Sequence, residues 1–166
     1  MIYKIMKWPE ESVLLHKVSA RVVFPDMAEL ITDLVLNMFK TMYDANGIGL
    51  SAIQVGVPLR VFVMDVYGKP WTFVNPSITC SGTKGLQNEG CLSVPGVVER
   101  VLRSPTVTVV AYDAAGNQFQ KTFKDIEAQC IQHEFEHLDG TIIPDKLSDS
   151  ARTKLAAEQR KAREQP

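Results

Sequence analysis

Residues 125–140, DIEAQCIQHEFEHLDG, predict a helix from Asp125 to Leu138, stopped by Asp139-Gly140 and with Pro144 shortly beyond. Inside it His133-Glu134-Phe135-Glu136-His137 is an HExxH sequence. Residues four apart on a helix share a face one turn from each other, so both imidazoles can reach one metal ion. Glu134 lies beside that face, where its carboxylate can take a proton from water without itself being a ligand. In a shuffled chain of this length and composition such a match is expected roughly 0.003 times, so coincidence is disfavoured.

The chemistry of an HExxH helix turns on its third donor. A metzincin-type protease carries HExxHxxGxxH; here Gly140 is present, but Ile143 stands where the third histidine belongs. A thermolysin-like site takes a downstream glutamate, for which Glu158 is the candidate, yet Gly140 and Pro144 break the intervening chain and Glu158 sits in a polar tail. Cys130 shares the histidine face but lies about 10 Å along the axis from His137, too far for one ion to take all three. Ile126 and Cys130 instead continue the stripe and would line an apolar cleft beside the ion. Cys91, after Gly90, can complete a Cys-His-His set; on its own a single cysteine is more often a small buried apolar residue. The residues alone leave open a metalloprotease or aminopeptidase, and a structural zinc module, which needs four protein ligands.

Outward from this helix, 166 residues with 45% hydrophobic content fit one domain, 1–166, whose residues 149–166 form a polar C-terminal helix or tail. A net charge of −1 gives no reason to expect a nucleic-acid substrate. Three widely spaced cysteines suit a reducing compartment rather than a disulfide framework. Charged residues break each short apolar run of MIYKIMKWPEES, and no segment approaches the roughly 20 apolar residues of a membrane span. A cytoplasmic protein without membrane association is the expectation.

After an irregular N-terminal arm, Asp26 is placed to cap a helix through residues 27–45, with Leu30, Leu34, Met38 and Met42 repeating every four. Asn46-Gly47 ends it and opens the Gly47-Ile48-Gly49 loop. Strands are predicted at 59–66, 71–74, 107–112 and 118–123, the last two forming a hairpin through Asp113–Asn117. Glu89–Ser93 reads as a short loop, and a terminal helix starting at Ser148 carries a single large apolar residue, Leu155, which suggests a surface position or frayed end.

Three segments, Gly47-Ile-Gly-Leu-Ser-Ala-Ile-Gln54, Glu89-Gly-Cys-Leu-Ser93 and Gln132-His-Glu-Phe-Glu-His-Leu-Asp-Gly140, resemble in order and spacing the signature motifs of the peptide deformylase family. Asn75-Pro76 and Val94-Pro95-Gly96 extend the resemblance across residues 5–148. It implies an α+β fold in which antiparallel or mixed β-sheets pack around a central metal-binding HExxH helix, with one helix N-terminal and one C-terminal to it. It also implies hydrolysis of the N-formyl group of formylmethionyl nascent peptides, releasing formate. Cys91, His133 and His137 are implied as ligands of one divalent metal ion, Fe(II) in the cell, with Zn(II), Ni(II) or Co(II) in purified protein. Glu134 is implied as general acid and base, and Gln54 with the backbone N–H of Leu92 as donors to the developing oxyanion. Backbone at Ile48, Gly49 and Gly90 is implied to bind the peptide as an added strand, with Ile126 and Cys130 in the methionine pocket and Gln129 adding polarity nearby. Arg103 matches a family arginine that pairs with the glutamate at Glu89, steadying the Cys91 segment.

The chain departs from the family pattern at a few positions. Ser51 replaces a common alanine, Ile53 a frequent proline and Glu136 the usual aspartate, while Val98 stands where many bacterial members carry a peptide-contacting arginine. The terminal helix, with Arg152, Lys154, Arg160, Lys161 and Arg163, has a modest basic excess that suggests weak docking to ribosomal RNA.

Overall fold

Period-two alternation in one strand organises the architecture. In β2, Val61–Val66, the side chains of Val61 and Val63 enter one apolar cluster with Ile31, Leu34 and Met38, whereas Phe62, Met64 and Val66 enter another with Ala128, Ile131 and Leu138. A strand sends successive side chains to opposite faces, so this sheet is covered on one side by α2, Ala28–Asp44, and on the other by α3, Asp125–Leu138. The computed structural model describes residues 1–164. The last two residues of the predicted C-terminal tail, 165 and 166, lie outside the described residues.

The sheet is antiparallel with strand order β1 (Gly49–Ser51), β2, β3 (Lys69–Ser81), β6 (Thr106–Tyr112) and β7 (Gln118–Lys124). A second, two-stranded antiparallel sheet pairs β4, Gly85–Cys91, with β5, Val94–Arg103. The class is therefore α+β with antiparallel sheets. The expected mixed character is reduced, among the described residues, to an isolated parallel bridge between Ala20 and Leu59. A four-residue helix α1, Ser12–Leu15, lies in the arm read as irregular, and α4, Asp149–Glu164, follows a short 3-10 turn at Ile143–Lys146. Among the described residues no helix is long and apolar enough to cross a membrane.

Helix α3 keeps the bounds its sequence predicts. Helix α2 is shorter than expected and is entered through Met27 without a side-chain cap, so Asp26 does not cap it. Leu30 is 56% exposed while Ile31, Leu34, Val35, Met38 and Met42 are buried. Each four-residue step turns a helix face by about 40°, so three steps back from Met42 carry Leu30 about 120° round from it, past Leu34 at the edge of the buried stripe.

Two strand regions exceed their sequence signals. Strand β3 continues past Asn75-Pro76 because the ladder to β6 shifts register between Val74 and Ser77, and Asn75, at φ 50°, holds both the N–H and the carbonyl of Val22 at 2.8 Å. Glu89–Ser93 is not a free loop: Cys91 ends β4 and pairs with Val94 across the Leu92-Ser93 turn. The polar, glycine-containing sequence of β4 hides this hairpin.

Helix α4 is docked rather than frayed. Leu155 and Ala156 pack on Trp8, Leu15, Cys91, Val94, Ile142 and Ile143. The buried Gln159 donates to the Pro95 carbonyl at 3.0 Å, and Arg163 donates to the Trp8 carbonyl and pairs with Glu10.

Candidate metal centre and active site

The HExxH helix meets the Cys91 strand end above the sheet. The ring nitrogens His133 Nε2 and His137 Nε2 lie 3.2 Å apart, and Cys91 Sγ lies 3.3 Å from His137 Nε2. All three donor atoms fall within 4.8 Å of one another, and Cys91 and His137 are buried. Two imidazoles edge to face at an interplanar angle of 87° aim these nitrogens at a common point. Bonds of about 2.1 Å to nitrogen and about 2.3 Å to sulfur set tetrahedron edges of about 3.4 Å between nitrogens and about 3.6 Å from nitrogen to sulfur. The two spacings to His137 agree with these edges to within a few tenths of an ångström and the third stays within 4.8 Å, so these residues fit one divalent ion.

The electrostatics favour the same use. Burial opposes ionisation of the Cys91 thiol, but the charge of His137 and hydrogen bonds to both histidines outweigh it and hold the thiol well below its ordinary range. A thiolate is the form that binds metal. His133 turns its other nitrogen, Nδ1, to Glu89 Oε2 at 3.1 Å, which fixes the ring with Nε2 facing inward. His137 Nδ1 is buried with no hydrogen-bond partner among the described residues.

Around this cluster the structure assembles a layer of charged contacts. Arg103, 4% exposed, donates to Glu89 through Nε at 2.6 Å and a terminal nitrogen at 2.8 Å. The same guanidinium donates to Glu136 at 2.6 and 2.9 Å, and Lys146 donates to Glu136 at 2.8 Å. Burial opposes ionisation of Glu89, yet Arg103 and His133 hold its carboxyl down at about 2. The sequence predicts the Glu89–Arg103 pair; the part taken by Glu136 was visible only as a longer acid in the usual aspartate place.

Strand β1 is an edge of the large sheet, and its alternation sends Leu50 toward α2 and leaves Gly49 and Ser51 facing α3. Ser51 Oγ lies 2.6 Å from Glu134 Oε2 and 2.9 Å from the Glu134 backbone oxygen. Burial pushes the Glu134 carboxyl above its ordinary range, against the opposing influence of His133, His137 and Ser51. A Cβ on Gly49 would come to 2.5 Å from Glu134 Oε1 and 2.7 Å from Cys130 Sγ, so only glycine lets this backbone lie against the acid. Gln54 accepts from the Ser51 N–H at 2.8 Å through Oε1, which turns its amide nitrogen toward Ser93 Oγ at 3.2 Å and Cys91 Sγ at 3.6 Å.

A cleft of about 660 Å³ opens from this cluster. Ile48 and Gly49 form one wall, Gly90, Cys91 and Leu92 another, and Ile126, Gln129, Cys130, His133 and Glu134 line it from α3. Val98, 68% exposed, stands at the same cleft. The structure thus brings together every site residue read from the sequence: Gln54, Glu89 and Arg103 behind the donors, His137 among them, and the others on the cleft. Cys130 stands outside the donor group, with its sulfur 3.7 Å from the Ile48 carbonyl, and burial raises its thiol well above the ordinary range. Glu158 is exposed on α4 beside Lys154, outside the donor group, and Ile143 is buried with Trp8 and Leu15 under α4, so neither protease-type third ligand is built.

The N-terminal arm contributes contacts that no local motif announces. Met6 N–H donates to the Gln54 carbonyl at 2.7 Å, Lys7 Nζ to the Leu92 carbonyl at 2.5 Å, and Trp8 N–H to the Ser93 carbonyl at 2.9 Å. Burial, then the charge of Arg163, lowers the Lys7 pKa, against the pull of Cys91 and Glu11.

An HExxH helix, a buried cysteine sulfur as third donor and a buried glutamate beside an apolar cleft define a hydrolase whose donor set suits a divalent metal. Comparison with known proteins narrows the class. The family described as Polypeptide deformylase matches residues 2–153. A peptide deformylase of Stenotrophomonas maltophilia is 45% identical over 149 residues, covering 86% of this chain and 85% of that protein. Peptide deformylase 1 of Shewanella oneidensis is 38% identical over 167 residues, covering 99% and 97%. Among solved structures, a peptide deformylase from Legionella pneumophila superposes with a TM-score of 0.90 at 38% identity, covering 99% of this chain and 96% of that one. One from Synechococcus elongatus in complex with actinonin gives 0.84 at 30% identity, covering 95% and 85%. The chain belongs to the polypeptide deformylase family.

Proposed function

We propose that this chain, as a single catalytic domain, removes the formyl group from the N-terminal formylmethionine of nascent polypeptides, with a divalent ion held by Cys91, His133 and His137. The convergence of those three donors beside the buried Glu134 carries the reading. When bound, the ion supplies Lewis acidity that makes water a nucleophile near neutral pH.

The residues divide the remaining work. Glu134 takes the proton from the attacking water as its oxygen bonds to the formyl carbon, then returns that proton to the amide nitrogen as the C–N bond breaks. Water and the formyl amide thereby become formate and a free N-terminal amine. The Gln54 amide and the Leu92 N–H donate to the oxygen that gains charge in the transition state, a preorganised arrangement worth several kcal/mol in comparable sites. Glu89, steadied by Arg103, fixes the His133 ring. The exposed edge of β1 at Ile48 and Gly49, with Gly90 opposite, suits an extended peptide added as a strand, and Ile126 and Cys130 offer apolar surface to the methionine side chain. At Val98 an apolar side chain stands on the cleft where many family members carry an arginine that contacts the peptide.

His₂Cys accepts several divalent metals, and the family resemblance favours Fe(II) in a cytoplasmic enzyme, with zinc, nickel or cobalt able to occupy purified protein. A thiolate beside iron makes oxidative loss of activity an expected property. The basic residues Arg160 and Lys161 are exposed on α4, and a weak ribosome contact there is part of the same reading.

The test is product chemistry on anaerobically purified protein with its metal content measured. Formyl-Met-Ala-Ser should yield formate, and an unformylated peptide should remain uncut. Glu134→Gln should keep its metal and lose turnover by at least about 100-fold. Cleaved peptide bonds without formate would reject the reading in favour of a protease.

A further inference from the structure

Ser51 occupies a position that neither the metal cluster nor the cleft explains. It is fully buried, and strand alternation points it at α3, where its hydroxyl oxygen is 2.6 Å from Glu134 Oε2 and 2.9 Å from the Glu134 backbone carbonyl, the carboxylate being the shorter contact for its single proton. The other carboxylate oxygen, Oε1, lies against the backbone of Gly49, a residue that lines the cleft. The two oxygens of this acid are therefore not equivalent: one is tethered inside the protein and the other is presented beside the opening. The Ser51 N–H meanwhile holds Gln54 Oε1 at 2.8 Å, so a single residue touches both the acid and the amide.

We propose that Ser51 is a positioning residue for catalysis, its hydroxyl anchoring Glu134 Oε2 so that Oε1 faces the reacting amide. The proposal rests on the general acid and base role of Glu134 given above. A carboxylate joined to its backbone by freely turning bonds samples several orientations, and a hydrogen bond to one oxygen selects among them. Proton transfer in both directions requires the same oxygen to meet first the water and then the departing nitrogen, so a fixed orientation acts on turnover rather than on peptide binding. An alanine, the residue Ser51 replaces in the family pattern, would offer no hydroxyl for this tether.

The experiment is steady-state kinetics of the metal-loaded holoenzyme on formyl-Met-Ala-Ser. Ser51→Ala should lower kcat about tenfold, with KM within about twofold and metal content unchanged. In the Glu134→Asp background, whose shorter side chain withdraws from Ser51, adding Ser51→Ala should change kcat by less than about twofold. Unchanged kcat in the single variant, an undiminished tenfold loss in the Asp background, or loss of bound metal would each overturn the proposal. Glu134→Gln separates the levels: retained turnover there removes the Glu134 reading itself, whereas its loss together with an unaffected Ser51→Ala removes the role of Ser51 alone.

Discussion

Replacing Arg103 by alanine would strip two buried or half-buried carboxylates of their shared cation. Glu89 is 5% exposed, and its carboxyl is held at about 2 against an ordinary 4.5. Burial alone would raise it; the hydrogen bonds and charges of Arg103 and His133 overcome burial and lower it. At about 1.4 kcal/mol per pH unit, that displacement corresponds to about 3 kcal/mol of native-state stabilisation, part of it owed to His133. Removing one partner of a buried ion pair costs about 3–5 kcal/mol in other proteins, so Arg103→Ala should destabilise by about 3 kcal/mol. For a chain of this size the midpoint of thermal unfolding should drop by about 6–12 °C.

The pH dependence carries a definite sign. A carboxyl lowered in the folded state contributes stability that is present above its unfolded value near 4.5 and is lost as pH falls through about 2. The gap between the parent protein and Arg103→Ala should be full at pH 7, narrow below pH 4.5 and shrink further toward pH 2. Urea unfolding at fixed metal content measures it, with metal analysis in parallel because Glu89 also holds His133. A gap under about 1 kcal/mol at pH 7, or one equally large at pH 7 and pH 3, would refute this account of the pair. Unchanged metal retention and activity would refute its role in steadying the site.

Two further substitutions probe the frame around the cluster. Lys7→Met keeps the stem but removes the ammonium that donates to the Leu92 carbonyl; kcat/KM on a formylated peptide should fall about tenfold with little change in unfolding midpoint, and a change under about twofold would free the arm from any part in the site. Gly140 sits at φ +75°, and a Cβ there would come to 2.5 Å from the His16 carbonyl oxygen. Gly140→Ala should therefore destabilise by more than about 2 kcal/mol in urea unfolding, and a smaller loss would mean that the arm yields freely at this contact.

Sequence by itself determined the elements whose side chains repeat with their own geometry. The His133–His137 spacing, the Asp139-Gly140 stop and the β6–β7 hairpin are local facts, since helix rise and turn chemistry fix them within a few residues. It also indicated the Glu89–Arg103 pair and the cleft residues through family likeness, because motif order survives where composition says nothing. Strands β1, β4 and β5 and the extension of β3 were not legible. Their stability comes from partners in β2, β4, β5 and β6, and a short, polar or proline-interrupted stretch carries no trace of the ladder it joins. The exposure of Leu30 likewise needed the neighbouring strands to show which arc of α2 is covered. The contacts of Ser51, Glu136 and Lys7 were decided by tertiary structure alone: each depends on which residue 30 to 90 positions away is brought within 3 Å. Hydrogen bonds between groups distant in sequence are set by the packing of whole elements, and no window along the chain contains both ends of them.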